Sequence, residues 1–245
     1  MHSFAVILPA AGGATRFGRP VNKLLVPLAG VPLIVHPLRA FLSRPDVTDV
    51  IVPTSAALPF AEARSPELEA CLRDRRLRVC PGGSNRAESV RRGLAEVPET
   101  TQWVAVHDAA RPFVSQELIT RTLAAALEHG AAVGAMPVSL TVKEADGPLP
   151  ARVVRTIPRR RLWAVQTPQV ARRADLKAAF ETCPIPLDQV TDDLQLLELA
   201  GKPVWLVDGD EHNIKVTTPT DLRIAEMLLK LHAWPAVADS PIVPP

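Results

Sequence analysis

Four short segments carry residue types that suit a nucleotide and its phosphates. In the first, Pro9-Ala10-Ala11-Gly12-Gly13-Ala14-Thr15-Arg16-Phe17-Gly18 leads to Asn22-Lys23. Glycine and alanine let backbone N–H groups come close to an anion. Arg16 and Lys23 add two cations able to offset charge on a transferring phosphoryl group. The apolar run 4–8 in front of it reads as a strand, and a strand feeding such a loop reads as a nucleoside-triphosphate site. Two familiar phosphate loops are excluded. The dinucleotide pattern G-x-G-x-x-G is absent, and Gly18 is followed by Arg19-Pro20 where a P-loop needs Lys and Ser or Thr. The plainer alternative is a glycine-containing turn with two solvated cations.

The second segment, Cys80-Pro81-Gly82-Gly83-Ser84-Asn85-Arg86-Ala87-Glu88-Ser89-Val90, is a strand–glycine–helix junction. Gly82 and Gly83 allow close approach to a base or ribose, and Ser84 or Asn85 can cap the helix. Arg86 and Ser89 lie three residues apart on one helical face. The third, Val106-His107-Asp108-Ala109-Ala110-Arg111-Pro112-Phe113, follows a buried strand. Ligands of wound α/β sheets bind beyond such strand ends. Asp108 there suits a Mg²⁺-bound triphosphate, because Mg²⁺ takes one or two carboxylates and keeps phosphate and water ligands. His107 reads as a structural hydrogen-bonding group and Arg111 as a local partner for a carboxylate. The fourth, Asn213-Ile214-Lys215-Val216-Thr217-Thr218-Pro219-Thr220-Asp221-Leu222, places Lys215 between apolar neighbours, unlike an ordinary surface lysine. Thr220 reads as the cap of the helix that follows, with Asp221 in its first turn.

The elements that must position these segments alternate. Apolar runs at 4–8, 50–53, 77–80, 103–106, 131–137 and 204–207 predict strands. Periodic runs at 33–43, 87–96, 115–129, 174–181, 192–200 and 220–232 predict helices. Ser115 and Asp192 are expected caps. The pattern implies a mostly parallel sheet flanked by helices. Residues 138–158 break it: 139–143 and 152–156 alternate polar and apolar around Asp146-Gly147-Pro148, which predicts an extended two-stranded arm. So small an arm must pack on something, most simply a second subunit. The expected division is one domain over 1–233 with 138–158 as a dimerisation β-arm, and a proline-rich tail over 234–245.

Composition narrows the partners. A net charge of +2 gives no global field toward nucleic acid or membrane, so neither is expected. Three cysteines, at 71, 80 and 183, match no metal spacing or even disulfide set and favour a reducing, cytoplasmic setting. No apolar run approaches the ~20 residues of a membrane span. No Ser-His-Asp set, H-E-x-x-H or cysteine cluster points to hydrolase or zinc chemistry.

Read together, PAAGGATRFG (9–18) with Asn22-Lys23, GGSNRAESV (82–90), VHDAARPF (106–113), LWAVQTPQ (162–169), Val190-Thr191-Asp192-Asp193 and NIKVTTPTDL (213–222) resemble the 2-C-methyl-D-erythritol 4-phosphate cytidylyltransferase family, in order and spacing. The resemblance implies a Rossmann-like three-layer nucleotidyltransferase fold and a homodimer with interlocking arms. It implies CTP and Mg²⁺, with methylerythritol 4-phosphate attacking the α-phosphorus and pyrophosphate leaving. By the same resemblance, Arg16 and Lys23 are catalytic and stabilise charge at the α-phosphate. Ala10, Ala11, Gly12, Gly13, Gly83 and Ser89 hold cytosine, Ser84 lies near the ribose, and Arg86 supports that loop. Asp108, with Ala109 beside it, lies near metal and triphosphate. Arg159, Thr167, Thr191 and Lys215 bind the acceptor phosphate, Arg159 in the neighbouring subunit's site.

The sequence departs from the family pattern at Asn22 and Leu24, where Pro and Gln are usual, and at Ser84, where an acid is common. Arg159-Arg160-Arg161 offers three candidates for one phosphate ligand, and the register from Leu162-Trp163 favours Arg159. A ribitol or ribulose 5-phosphate cytidylyltransferase is the alternative enzyme. A non-catalytic nucleotide-binding protein is the alternative class, which the set Arg16, Lys23, Asp108 and Lys215 disfavours.

Overall fold

The computed structural model describes residues 2–12, 22–55 and 65–231. In chain order, β1 (Phe4–Ile7) is followed by a small hairpin of β2 (Pro27–Leu28) and β3 (Val31–Pro32), then α1 (Val35–Leu42), β4 (Val47–Thr54), α2 (Pro66–Leu72), β5 (Leu77–Pro81), α3 (Arg86–Glu96) and β6 (Trp103–Val106). Next come α4 (Gln116–His129), β7 (Ala131–Pro137), β8 (Val142–Ala145), β9 (Val153–Ile157), β10 (Trp163–Arg172), α5 (Arg173–Glu181), α6 (Asp193–Leu199), β11 (Trp205–Asp208) and α7 (Pro219–Leu231). Seven strands form one sheet in the order β11-β7-β10-β6-β1-β4-β5. β10 runs antiparallel to both β6 and β7, and the remaining pairings are parallel.

Burial explains the layering. All residues of β1 and β6 are buried, as expected for strands covered on both faces. Their side chains alternate between two cores. Phe4, Val6 and Leu8 pack with Leu38 and Phe41 of α1 and Leu118 of α4. Ala5 and Ile7 pack with Val90 of α3, Leu176 of α5 and Leu196 of α6. The arrangement is a Rossmann-like α/β fold in three layers.

The six expected strands and six expected helices are present, with ends shifted by a few residues. Ser115 caps α4, Asp192 caps α6, and of the two candidates for α3 it is Asn85 that accepts the capping bond. β10 was not expected as a strand. Its middle holds Thr167-Pro168, and its ladder to β7 is interrupted between Val165 and Gln169, so the sequence loses the strand period there. α2, a short helix capped by Ser65, was also not foreseen. The expected cap of α7 is corrected: Thr220 lies inside the helix. Thr218 and Asp221 cap each other instead, the Asp221 N–H donating to Thr218 Oγ1 at 3.2 Å and the Thr218 N–H to Asp221 Oδ2 at 2.8 Å. The arm forms a two-stranded hairpin, β8 with β9, outside the main sheet. The tail 234–245 lies outside the described residues.

Helix α3 lies close on the sheet because residue 93 is glycine. A Cβ there would stand 2.7 Å from Pro53 Cγ and 2.8 Å from Ile7 Cγ2. In an open helix Gly→Ala gains about 0.5–1 kcal/mol, whereas overpacking a tight contact costs about 1–3 kcal/mol. Gly93→Ala is therefore expected to lower the urea midpoint. A raised midpoint would show that the helix can move off the sheet without loss.

Candidate active site

The first two loops meet at the strand ends. The Ala10 N–H donates to Pro53 O at 2.7 Å, Ala10 bridges to Thr54, and the Gly82 N–H donates to Thr54 O at 2.7 Å. A Cβ on Gly82 would sit 2.3 Å from Ala11 Cβ, so only glycine lets the second loop rest on the first. Ser89, buried in α3, holds that loop: its Oγ accepts from the Gly83 N–H at 2.9 Å and donates to Asn85 O at 2.8 Å. Ala10, Ala11, Gly83 and Ser89 are thus brought together, Gly12 follows with open space around it, and Ser84 is exposed at the tip. Arg16 and Gly13 lie outside the described residues.

Asp108 is the electrostatic centre. It follows β6, is nearly buried, and faces three cations from separate segments. Arg86 Nε is 3.1 Å from Oδ1, while Lys215 Nζ at 2.9 Å and Arg111 Nε at 3.4 Å share Oδ2. Burial alone would raise the carboxyl pKa, but Arg86, Lys215 and Arg111 outweigh it and hold Asp108 well below the usual carboxylate range. Arg86 also reaches Asp193 Oδ2 at 2.7 Å. Burial works against the Arg86 charge, and the two carboxylates overcome it, so the guanidinium stays ionised. Three cations against two carboxylates leave an excess of positive charge, which suits an anionic ligand.

Neutral bonds fix this centre in place. The Asp108 N–H donates to Thr167 Oγ1 at 3.0 Å, and that hydroxyl lies 3.1 Å from His107 Nδ1. His107 Nε2 is 3.2 Å from Arg111 O, which only accepts, so Nε2 carries the proton and Nδ1 accepts from Thr167. Burial pushes the His107 pKa down to about 4 against the bond to Arg111 O and the nearby Asp108 charge, so the ring is neutral. Arg111 Nη1 donates to Asn213 O at 2.7 Å, and Asn213 Nδ2 to Thr167 O at 2.7 Å, which anchors the stretch carrying Lys215. Lys23 Nζ donates to Val216 O at 3.2 Å, so the first loop's lysine stands beside the residue that follows Lys215.

The other expected residues lie around this centre. Ala109 is buried next to Asp108. Thr191 is exposed ahead of α6, its Oγ1 3.1 Å from Gln195 Oε1. Arg159 is exposed on a single helical turn after the arm and joins none of the ion pairs above. Asp193 and Gln169 also hold this centre; the motif segments 190–193 and 162–169 contain them, but neither residue type alone signals a role.

A resident metal cage is absent among the described residues, where no three His, Cys, Asp or Glu side chains come together. The single carboxylate of Asp108 amid three cations fits Mg²⁺ only as a companion of a triphosphate, whose oxygens and water would supply most ligands.

Comparison with known proteins identifies the family and matches the fold. The family model described as 2-C-methyl-D-erythritol 4-phosphate cytidylyltransferase matches residues 4–231. A protein of that name from Gloeobacter violaceus is 41% identical over 229 residues, covering 92% of this chain and 95% of its own. The bifunctional enzyme IspD/IspF of Desulfotalea psychrophila is 42% identical over 233 residues, covering 94% of this chain, which spans 58% of that longer relative. The crystal structure of the cytidylyltransferase from Thermus thermophilus superposes with a TM-score of 0.74 at 34% identity, covering 94% of this chain and 100% of that one.

The neutral His107 has a consequence for stability. Its folded pKa of about 4 lies below the ordinary 6.5, so between these values the unfolded chain binds a proton that the native one refuses. Stability is complete above pH 6.5 and falls as pH drops toward 4, by on the order of 3 kcal/mol at most. His36, buried and also lowered, adds in the same direction. His107→Gln is expected to lessen the drop in urea midpoint between pH 7 and pH 5. An equal drop would show that His107 is not its source.

Proposed function

The chain belongs to the 2-C-methyl-D-erythritol 4-phosphate cytidylyltransferase family, and on that premise we propose that it transfers CMP from CTP to 2-C-methyl-D-erythritol 4-phosphate in isoprenoid precursor synthesis. An oxygen of the acceptor phosphate attacks the α-phosphorus of CTP in line. The new P–O bond forms as the bond to the β-phosphate oxygen breaks, and pyrophosphate departs with the electron pair. A phosphate nucleophile is already ionised near neutral pH, so no general base is needed. What the reaction asks for is alignment of two anions and relief of their repulsion.

One observation carries the reading. The loop expected to cradle the triphosphate and the stretch expected to hold the acceptor phosphate meet where Lys23 bonds the backbone of Val216, next to Lys215. Lys215 is in turn fixed by Asp108. Two anions placed on either side of this seam are each beside a lysine. Lys23 and Arg16 neutralise charge at the α-phosphate. Lys215 and Thr191 aim the acceptor, while Thr167, expected to bind it as well, is buried with its hydroxyl proton given to His107 and instead holds the Asp108 loop. Gly83 and Ser89, with the Ala10, Ala11 and Gly12 backbone, hold the cytosine, and Ser84 meets the ribose. Asp108 would be the carboxylate beside any Mg²⁺ that comes with CTP, and the ion would supply shielding of phosphate charge.

The arm is the surface for a second copy. It leaves Leu140, Leu149, Val153 and Val154 exposed, and Trp163 and Val165 of β10 are exposed too. A homodimer covers them and brings Arg159 to the neighbouring site. Among the described residues no helix is long and apolar enough to cross a membrane. The three cysteines are unpaired, in keeping with a reducing cytoplasm. The comparisons give no support to a ribitol or ribulose 5-phosphate acceptor.

Pyrophosphate release from CTP and Mg²⁺ is expected with methylerythritol 4-phosphate and not with ribitol 5-phosphate. Lys23→Ala is expected to cut turnover by about 10²-fold or more, as for loss of a preorganised charge at the reacting centre. Release with ribitol 5-phosphate alone would move the enzyme to polyol nucleotides. Near-normal turnover by Lys23→Ala would remove that lysine from the chemistry.

A further inference from the structure

Asn22 joins the first loop to its lysine. Its backbone is extended, with φ −64° and ψ 121°, and its side chain closes an Asx turn: Oδ1 accepts from the Leu24 N–H at 3.0 Å. The Leu25 N–H donates to Asn22 O at 2.9 Å and the Val26 N–H to Lys23 O at 3.2 Å, which completes a single 3₁₀ turn over Lys23–Leu25. Lys23 thus lies inside the ring that Asn22 closes. Leu24, the next residue, is 4% exposed and packs in the core with Leu28, Leu33 and Ile34. At the far end of its own side chain, Lys23 Nζ donates to Val216 O at 3.2 Å, 193 residues away in the chain.

The chain after this turn has its own anchors. The Ile34 N–H donates to Leu24 O and the Leu33 N–H to Val26 O, each at 3.0 Å, and the Leu24 side chain is buried. All of these contacts follow Lys23 in the chain. The Asn22 bond is different, because it spans Lys23 itself. The first N–H groups of a helical turn have no partner within it, and a polar side chain just ahead supplies one. Without that bond Lys23 is joined to the core on one side only, and its backbone dihedrals are no longer closed into a ring. A lysine side chain already has more rotamer freedom than most, so a loose backbone adds to what must be ordered. A charge that stabilises a transition state is worth most when it is in place beforehand.

We propose that Asn22 is a positioning residue for Lys23: its side-chain bond to the Leu24 N–H fixes the turn that carries the lysine, so that the ammonium stands at the seam with Val216 before the substrates arrive. This rests on the reaction proposed above, in which Lys23 neutralises charge at the α-phosphate. Asn22 acts through Lys23, so its influence falls on the chemical step. The second loop, expected to hold cytosine, keeps its own bonds through Ser89 and Asn85.

The test is steady-state pyrophosphate release from CTP and methylerythritol 4-phosphate by wild type, Asn22→Ala, Asn22→Ser and Asn22→Gly, and by Asn22→Ala combined with Lys23→Ala. Serine keeps a capping oxygen, whereas alanine and glycine do not, and Asn22→Gly carries the test should Asn22→Ala not fold. Asn22→Ala and Asn22→Gly are each expected to lower kcat by about tenfold while the KM for either substrate changes by about twofold or less. Asn22→Ser is expected to stay within about twofold of wild type. Added to Lys23→Ala, the Asn22→Ala change is expected to cost about twofold or less, because the group it positions is gone. A merely structural loss would persist undiminished in that background, and that result overturns the proposal. So does an unchanged kcat in Asn22→Ala, or Asn22→Ser as slow as Asn22→Ala. No turnover by the wild type would overturn the reaction itself, and this role with it.

Discussion

The site depends on one buried carboxylate that must be surrounded by cations. Asp108 is taken out of water at the end of β6, and an isolated buried carboxylate would cost several kcal/mol. Arg86, Arg111 and Lys215 supply the compensation, and each arrives from a different part of the chain. The attraction works in both directions. Asp108 collects three positive charges that would otherwise repel one another, and their excess over the carboxylates is the electrostatic basis for receiving phosphate.

The sheet makes this gathering possible. β1, β4, β5 and β6 run in parallel and end on one side, so the loops after β1, β5 and β6 lie side by side. The reversed strand β10 adds what a wholly parallel sheet would not. Gln169 pairs with Val106, so β10 brings Gln169 and Thr167 next to the start of the Asp108 loop from the opposite direction. Thr167 then receives the Asp108 N–H and bonds His107, while Gln169 holds the start of α6. Geometry at the charged centre is thereby set by neutral, buried hydrogen bonds, which do not weaken with salt as exposed ion pairs do.

Much of this was legible in the sequence because it rests on local rules. The fully apolar runs of β1 and β6, the caps at Ser115 and Asp192, and the alternation broken at 138–158 each signal their element within a few residues. Family motifs marked Asp108, Lys23 and Lys215 as residues of interest. The part that was not legible is tertiary. β10 does not read as a strand, because Thr167-Pro168 interrupts its period and its reason for being extended is the pair of neighbours it finds. Thr220 reads as a cap as well as Thr218 does, and only the reciprocal bonds with Asp221 separate them. Asp193 looks like one of two ordinary acids at a helix start. That it meets Arg86 from a helix far away in sequence is a property of the fold.

The claim that Asp108 gathers the cations is tested most directly by the crystal structure of Asp108→Asn. Asparagine keeps the size and the backbone bond to Thr167 and removes the charge. Lys215 is expected to leave its place beside Oδ2, with Arg86 retained by Asp193, Arg111 by Asn213 O, and the sheet unchanged. Lys215 found in its wild-type position would show that the backbone places it without the carboxylate, and would contradict a gathering role for Asp108.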